Sequence, residues 1–277
     1  MRKLLVVVGV LAVVVLPLLT ASLAAAQEQA QGQRDATGNP IGPLGPVNAL
    51  GQEVKRPPAP TGPAPHLPDG TIDLGDGAWV AVPGGGDSIA QRLKGGGELP
   101  LLPEAKALMA SRQLTDDPVN WCLPLGLLRT SPYPFRFIQN YTHKKPTHMY
   151  IMSEWMGSFR QVFLDGRKHP ADLEPTWFGH SIGWYENDTL VIDTVGFNDK
   201  FWFDRRATPH TTQLHTIERW TRVDAGHLTR EVTIDDPGAY SKPFTVTYQA
   251  TLVQPGDELM EYVCQENNQY GVASGVK

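Results

Sequence analysis

The chain is 277 residues long, with 41% hydrophobic and 19% charged residues and a formal net charge of -5. That balance suits a folded soluble domain and supplies no basic field to hold a phosphate backbone, which excludes nucleic acid and disfavours anionic membrane surfaces as partners. Of the 24 Pro and 27 Gly, 12 and 16 lie in the first hundred residues, and this bias divides the chain into an arm and a core.

Arg2 and Lys3 precede an uncharged apolar run over 4–19, and Ser22-Leu23-Ala24-Ala25-Ala26 offers small residues for cleavage. This is the pattern of a secretory signal over 1–26. The run is shorter than the about 20 apolar residues that span a bilayer and it contains Pro17. Removal is therefore expected over retention as an anchor, leaving an exported protein, periplasmic or extracellular, with no stable membrane anchor. No cysteine stands at the cleavage point, so a lipid anchor is not expected.

Residues 27–98 lack sustained apolar periodicity and are broken by Asn39-Pro40, Gly42-Pro43, Pro57-Pro58, Gly62-Pro63 and Gly84-Gly85-Gly86. Such a stretch buries too little apolar surface to offset its ordering entropy, and reads as a flexible arm unless it lies against the domain. One exception is Ala78-Trp79-Val80-Ala81-Val82, whose alternation fits an added edge strand. A single β-rich domain is expected over 99–277. It opens with one short helix near 103–113, with Pro103 in the first turn and Ala105, Leu108 and Met109 on one side. A Pro-rich irregular segment follows, carrying Trp121, Cys122, Tyr133 and Phe135.

From there the dominant period is two. Residues 149–155, 159–164, 181–185, 189–195, 214–223, 228–234, 244–252 and 259–264 read as strands rich in β-branched and aromatic residues. Glu186-Asn187-Asp188, Asp224-Ala225-Gly226 and Gln254-Pro255-Gly256 mark turns between them. Successive hairpins make an antiparallel meander, and one this long must close or curl to hide its edges. The expectation is a mainly β protein whose meander closes into a lipocalin-like barrel, with a β-sandwich or open sheet as the alternative. On 244–252 one face carries Phe244, Val246, Tyr248, Ala250 and Leu252, and the other carries threonines and Gln249.

Cys122 and Cys264 are the only cysteines. An even count in an exported chain predicts that they pair, with two separate buried thiols as the alternative.

Ionisable residues concentrate between two of the strands. Residues 180–218 hold His180, Asp193, Asp204, Arg205, His210, His215 and Glu218, interleaved with Trp184, Phe197, Phe201 and Trp202. The connection over 196–212 is long enough to suggest a lid or binding loop. His210, His215 and Glu218 do not have the spacing of a helix-borne zinc site, and His215 and Glu218 point to opposite faces if 214–223 is a strand. Metal ligation is not expected, nor is an organic cofactor. General acid/base chemistry remains open, with His210 or His215 moving a proton, Asp204 or Asp193 orienting it and Arg205 stabilising an oxyanion. The competing expectation for Asp204-Arg205 is a solvated ion pair. Asp193 shares a face with Val191 and Val195, so it needs a partner, either as a structural clamp or as a functional acid. His180, Trp184, Phe197, Phe201 and Trp202 are the candidate ligand-binding residues at a barrel entrance.

Asp117-Pro118 to Phe137, Glu174-Pro175-Thr176-Trp177 through Asp193-Thr194-Val195-Gly196-Phe197-Asn198-Asp199, His210 to Arg219 and Glu261 to Asn268 together resemble an abundant family of exported bacterial proteins. The resemblance covers roughly residues 117–268. It implies export and an envelope setting, and assigns neither an activity nor a catalytic residue. Three functions follow from the sequence: a barrel holding a small, partly apolar ligand; a cofactor-independent lyase, isomerase or hydrolase using His/Asp chemistry; and a structural envelope protein that docks through its arm.

Overall fold

The computed structural model describes residues 58–75, 77–82, 88–129, 133–142, 145–253 and 258–264. The expected signal segment, the arm up to residue 57, the Gly84-Gly85-Gly86 link, the Gln254-Pro255-Gly256 turn and the chain after Cys264 lie outside the described residues.

Among the described residues, nine strands form one closed barrel in chain order: β1 (Trp79–Val82), β2 (Phe135–Thr142), β3 (Lys145–Ser153), β4 (Ser158–Phe163), β5 (His180–Glu186), β6 (Thr189–Val195), β7 (His215–Arg222), β8 (His227–Asp235) and β9 (Phe244–Leu252). The expected mainly β barrel is therefore present, but it is not a pure meander. Walking once round a ring must restore the starting direction, so the number of antiparallel joins has to be even. Nine strands cannot meet that condition without a parallel join. It falls between β4 and β5, where Val162 pairs Ser181 and Phe163 pairs Ile182. A parallel pair needs a crossover of a dozen or more residues, and residues 164–179 supply it. With that reversal in place, β1 pairs β9 antiparallel, from Trp79 with Leu252 to Val82 with Gln249.

The alternation read from the sequence fills the barrel as expected. On β9, Phe244, Val246, Tyr248, Ala250 and Leu252 are buried, while the residues between them are partly or fully exposed. Two apolar clusters result. One contains Trp79, Phe137, Met149, Val162, Leu190, Ile192 and Leu228. The other contains Val232, Ile234, Phe244 and Val246, and is completed by Ala105 of the helix α1 (Pro103–Ser111) and by Phe197, Phe201 and Phe203 from the connection between β6 and β7.

Several expectations are corrected. The domain begins upstream of residue 99: Ile72 and Leu74 are 1% and 3% exposed in the core. Trp79, fully buried, lies in a closing strand rather than an edge, with β9 on one side and Phe135 of β2 on the other. The chain at Ala59 and Pro60 also lies against Gly226, where an added Cβ would come within 2.4 Å of the Pro60 carbonyl oxygen. Helix α1 ends at Ser111, and its Leu108 is exposed rather than sharing the buried side of Ala105. Phe135, expected in an irregular segment, begins β2 instead. Residues 259–263 are not a strand, because β9 already gives its free edge to β1. That segment is held by side chains: Met260 N donates to Glu154 Oε2 at 3.0 Å, and the Tyr262 ring lies 4.9 Å from Trp155 and 5.4 Å from Tyr133.

Cys122 and Cys264 form the expected disulfide, with their Cα atoms 5.6 Å apart across 142 residues of sequence. A bridge of this kind belongs to an oxidising, non-cytoplasmic environment. No helix among the described residues is long and apolar enough to cross a membrane. The bridge ties the segment ahead of β2 to the chain after β9, and a loop of this size stabilises by about 4 to 5 kcal/mol on chain-entropy grounds. The double variant Cys122→Ser/Cys264→Ser is expected to lose that much in denaturant unfolding. A loss near zero would show that the native contacts already hold the two segments together.

Candidate functional site

Between the two apolar clusters lies a layer of charge. Arg160 on β4, Glu218 on β7 and Arg230 on β8 all fall on the inward parity of their strands, beside Val162, Trp220 and Leu228. Their side chains are 6%, 0% and 11% exposed. Arg160 Nη1 lies 2.6 Å from Glu218 Oε1, and Arg230 Nη2 lies 2.8 Å from Glu218 Oε2. Trp220 Nε1 donates to the same Oε2 at 3.1 Å. Arg160 is further fixed by donating from Nε to Ser181 Oγ (2.9 Å) and from Nη2 to Thr194 Oγ1 (2.6 Å). Burial alone would push the Glu218 carboxyl up, but the two guanidinium groups outweigh it and hold the acid below its ordinary range.

Above this layer is a cavity of about 140 Å³. Phe135, Ile151, Phe159, Phe178 and Trp220 give it apolar walls, Leu125, Gly126 and Leu127 form a further part of the wall, and Arg129, Arg160 and Arg230 line it. A smaller hollow of about 50 Å³ shares Ala81, Phe135, Trp220 and Arg230 with it, and adds Tyr248. The 125–127 segment is positioned by contacts the fold makes anyway. Arg129 Nη1 donates to both oxygens of buried Asp117 at 2.8 and 2.7 Å, Arg230 Nη2 donates to Leu127 O at 3.1 Å, and the disulfide anchors Cys122. Gly126 is required here: its φ is +71, and a Cβ would come within 2.1 Å of the Phe201 ring. Larger hollows of about 300 and 340 Å³ lie along residues 67–75 and beside Arg92 and Lys94, respectively. The smaller cavity is the stronger candidate because buried charge and apolar wall converge on it.

The sequence candidates divide between two other places. His215 and Asp193 do come together, on the outside of the barrel, with His215 Nε2 2.8 Å from Asp193 Oδ1. The β4–β5 crossover adds His169, whose Nε2 lies 3.3 Å from the same oxygen and whose Nδ1 lies 2.8 Å from His180 Nδ1. One nitrogen of that His–His contact must donate and the other accept, so both rings cannot be protonated together. Burial, then the His169 and Arg167 charges, lowers the His180 pKa. The bond to Asp193 raises that of His215. Burial pushes the Asp193 carboxyl up, but the two histidines more than offset it and leave it lowered. Trp184, 40% exposed, also faces outward, bonded to Glu186. His180 and Trp184 are thus not in the barrel interior. Among the described residues no group of three or more His, Cys, Asp or Glu is arranged to hold a metal ion.

Asp204, His210, Phe197, Phe201 and Trp202 form a buried plug rather than an entrance loop. All five are 4% exposed or less. Asp204 accepts from the backbone N–H of Ile89, Arg206 and Thr208 and from the Thr208 hydroxyl, at 2.8 to 3.2 Å, so it clamps two segments together. His210 is 3.9 Å from the Phe201 ring and 4.9 Å from the Phe203 ring, and burial holds its pKa down to about 4. Arg205 is exposed. No hydrogen bond or ion pair among the described residues joins Asp204, Arg205, His210 and His215.

Arg129, Arg160, Arg230, Phe178 and His169 were not singled out from the sequence. Arg160 and Arg230 carried a readable signal, since each alternates with buried aliphatic residues on its strand. Phe178 and His169 carried none, because they lie in the crossover that the parallel join demands. Comparison of the chain with protein-family models, curated proteins and solved structures finds no match.

Two outcomes follow from this arrangement. Glu218→Gln strips the charge partner from two buried guanidinium groups and is expected to cost about 3 to 5 kcal/mol, whereas replacing the whole triad by Arg160→Met, Glu218→Leu and Arg230→Met costs far less. Denaturant unfolding of both variants checks this, and equal losses would contradict it. For His210 the unfolded pKa is near 6.5 and the folded value about 4, so the unfolded chain takes up the additional proton between those values. The His210 contribution is therefore fully present above pH 6.5 and falls as pH drops toward 4, by ~3 kcal/mol. Unfolding midpoints measured at pH 7.5 and 4 are expected to converge in His210→Phe relative to the unmodified protein.

Proposed function

We propose that this chain is an exported β-barrel protein that binds a small, partly apolar molecule in the cavity between Trp220, Ile151 and the segment at Leu125 to Leu127. One observation carries the reading: a cavity of about 140 Å³ with aromatic walls and a charged floor. Cavities of roughly 150 Å³ lined by apolar side chains accept a benzene-sized guest, and barrels of about eight strands leave room for side chains or one small ligand. The disulfide and the signal pattern at the N-terminus support action outside the cytoplasm.

Binding is favoured over catalysis because the acid/base residues that would serve an enzyme are dispersed. Asp204 and His210 are tied into the plug, and the Asp193–His215 pair lies on the other side of the barrel wall from the cavity. A structural role through the arm rests on residues up to 57, while the stretch from 58 onward is already committed to the barrel.

The test is a thermal-shift series with single-ring compounds such as benzyl alcohol and benzoate. At ten times its dissociation constant a bound ring contributes about 1.4 kcal/mol, raising the unfolding midpoint by roughly 3 to 6 °C for a domain of this size. Ala81 lines both hollows. Ala81→Leu fills that space and is expected to abolish the shift. A shift of equal size in Ala81→Leu would place binding elsewhere and refute the assignment.

A further inference from the structure

Resting on that cavity, we propose that the ligand is a small organic monoanion, a single-ring or short-chain carboxylate whose charge is received by Arg129 and Arg230. Every charged side chain lining the cavity is an arginine. Three guanidinium groups are opposed by only two carboxylates, since Asp117 pairs with Arg129 and Glu218 is shared by Arg160 and Arg230. The site therefore holds one excess positive charge in surroundings where an uncompensated ion is costly. A neutral guest leaves that charge unbalanced, a cation adds to it, and a dianion such as phosphate overshoots it.

The free donors agree with the charge count. Arg160 uses all three of its nitrogens on Ser181, Thr194 and Glu218. Arg230 bonds through Nε and Nη2, and Arg129 through Nη1. Arg230 Nη1 and the Nε and Nη2 of Arg129 make no hydrogen bond among the described residues, and both arginines line the cavity. Tyr248 lines the inner hollow, and its Oη is buried without a hydrogen-bond partner among the described residues. Its ring lies 5.3 Å from the Arg230 guanidinium carbon. Burial raises the phenol to about 12, so it stays protonated and offers a hydrogen to an acceptor. A carboxylate suits the arginines, since it accepts through two oxygens and matches the guanidinium fork. Phe135, Ile151 and Trp220 then face the apolar remainder of the ligand.

The experiment uses the unmodified mature protein and three compounds of one shape: benzoate, its neutral isostere nitrobenzene, and the benzamidinium cation. Calorimetric titration at pH 7 is expected to show benzoate binding roughly tenfold tighter than nitrobenzene or better, the discrimination that charge-assisted hydrogen bonds give, and no binding of benzamidinium. The benzoate affinity should fall with added salt, and its NMR titration should perturb the Trp220 indole and Ile151 methyl signals. Equal affinity for benzoate and nitrobenzene overturns the anion assignment and leaves the apolar cavity standing. If none of the three binds, the cavity reading and the anion assignment fail together. Benzoate binding that leaves the Trp220 and Ile151 signals unmoved overturns the assignment to this site.

Discussion

The carboxylate of Glu218, fully buried between Arg160 and Arg230, is the constraint from which the interior of this barrel follows. An isolated buried carboxylate would not stay ionised. Here it does, because four strands deliver its partners: β4 brings Arg160, β8 brings Arg230, and β5 and β6 bring the Ser181 and Thr194 hydroxyls that fix Arg160. The triad is satisfied only when these strands hold the observed register, with Ile192 and Val232 opposite Glu218. A slip of one residue would turn each of these side chains to the opposite face. Buried ionic groups of this kind add little net stability and penalise wrong arrangements heavily. In this chain the penalty falls on misregistered pairings of β4 through β8.

Closure depends on a second constraint, the parity of nine strands. The parallel join of β4 to β5 is short, and the crossover it requires is therefore anchored elsewhere. Thr176 exchanges backbone hydrogen bonds with the chain at Gly196 and Asn198, at 3.0 and 2.8 Å. Trp177 packs on the cluster that contains the plug, and Phe178 reaches the cavity. The same crossover brings His169 to His180 and Asp193 on the outer wall. A topological requirement thus places two chemically useful side chains on opposite sides of one sheet.

Much of this was legible in the sequence because a half-buried strand writes its burial into every second residue. The alternation of Phe244 through Leu252, the opposite faces of His215 and Glu218, and the pairing of Cys122 with Cys264 all follow from the sequence and are present in the fold. β2 was not, because Ile138 is apolar on the exposed face and blurs the alternation of Phe135 and Phe137. The concentration of ionisable residues over 180–218 was real but its meaning was not sequence-local. Asp204 finds Ile89, which is 115 residues away, and His169 finds Asp193 across the crossover. Partners at such separations depend on closure, which no local window contains.

The location of polar groups that lack partners separates structure from function in this barrel more sharply than the location of polar groups as such. Asp204 is saturated by four donors and can do no more than clamp. Arg160 engages each of its three nitrogens, and its role is to hold Glu218 in its charged form. Arg230 differs: it satisfies Glu218 and Leu127 with two nitrogens, lies 4.8 Å from the Trp220 ring centre, and keeps its third nitrogen out of the network. A core optimised only for stability would bury apolar residues in place of such a group. Under the binding reading proposed above, a fixed guanidinium beside an aromatic wall and an unpartnered phenol is organised before a ligand arrives, which lowers the ordering cost that binding must overcome.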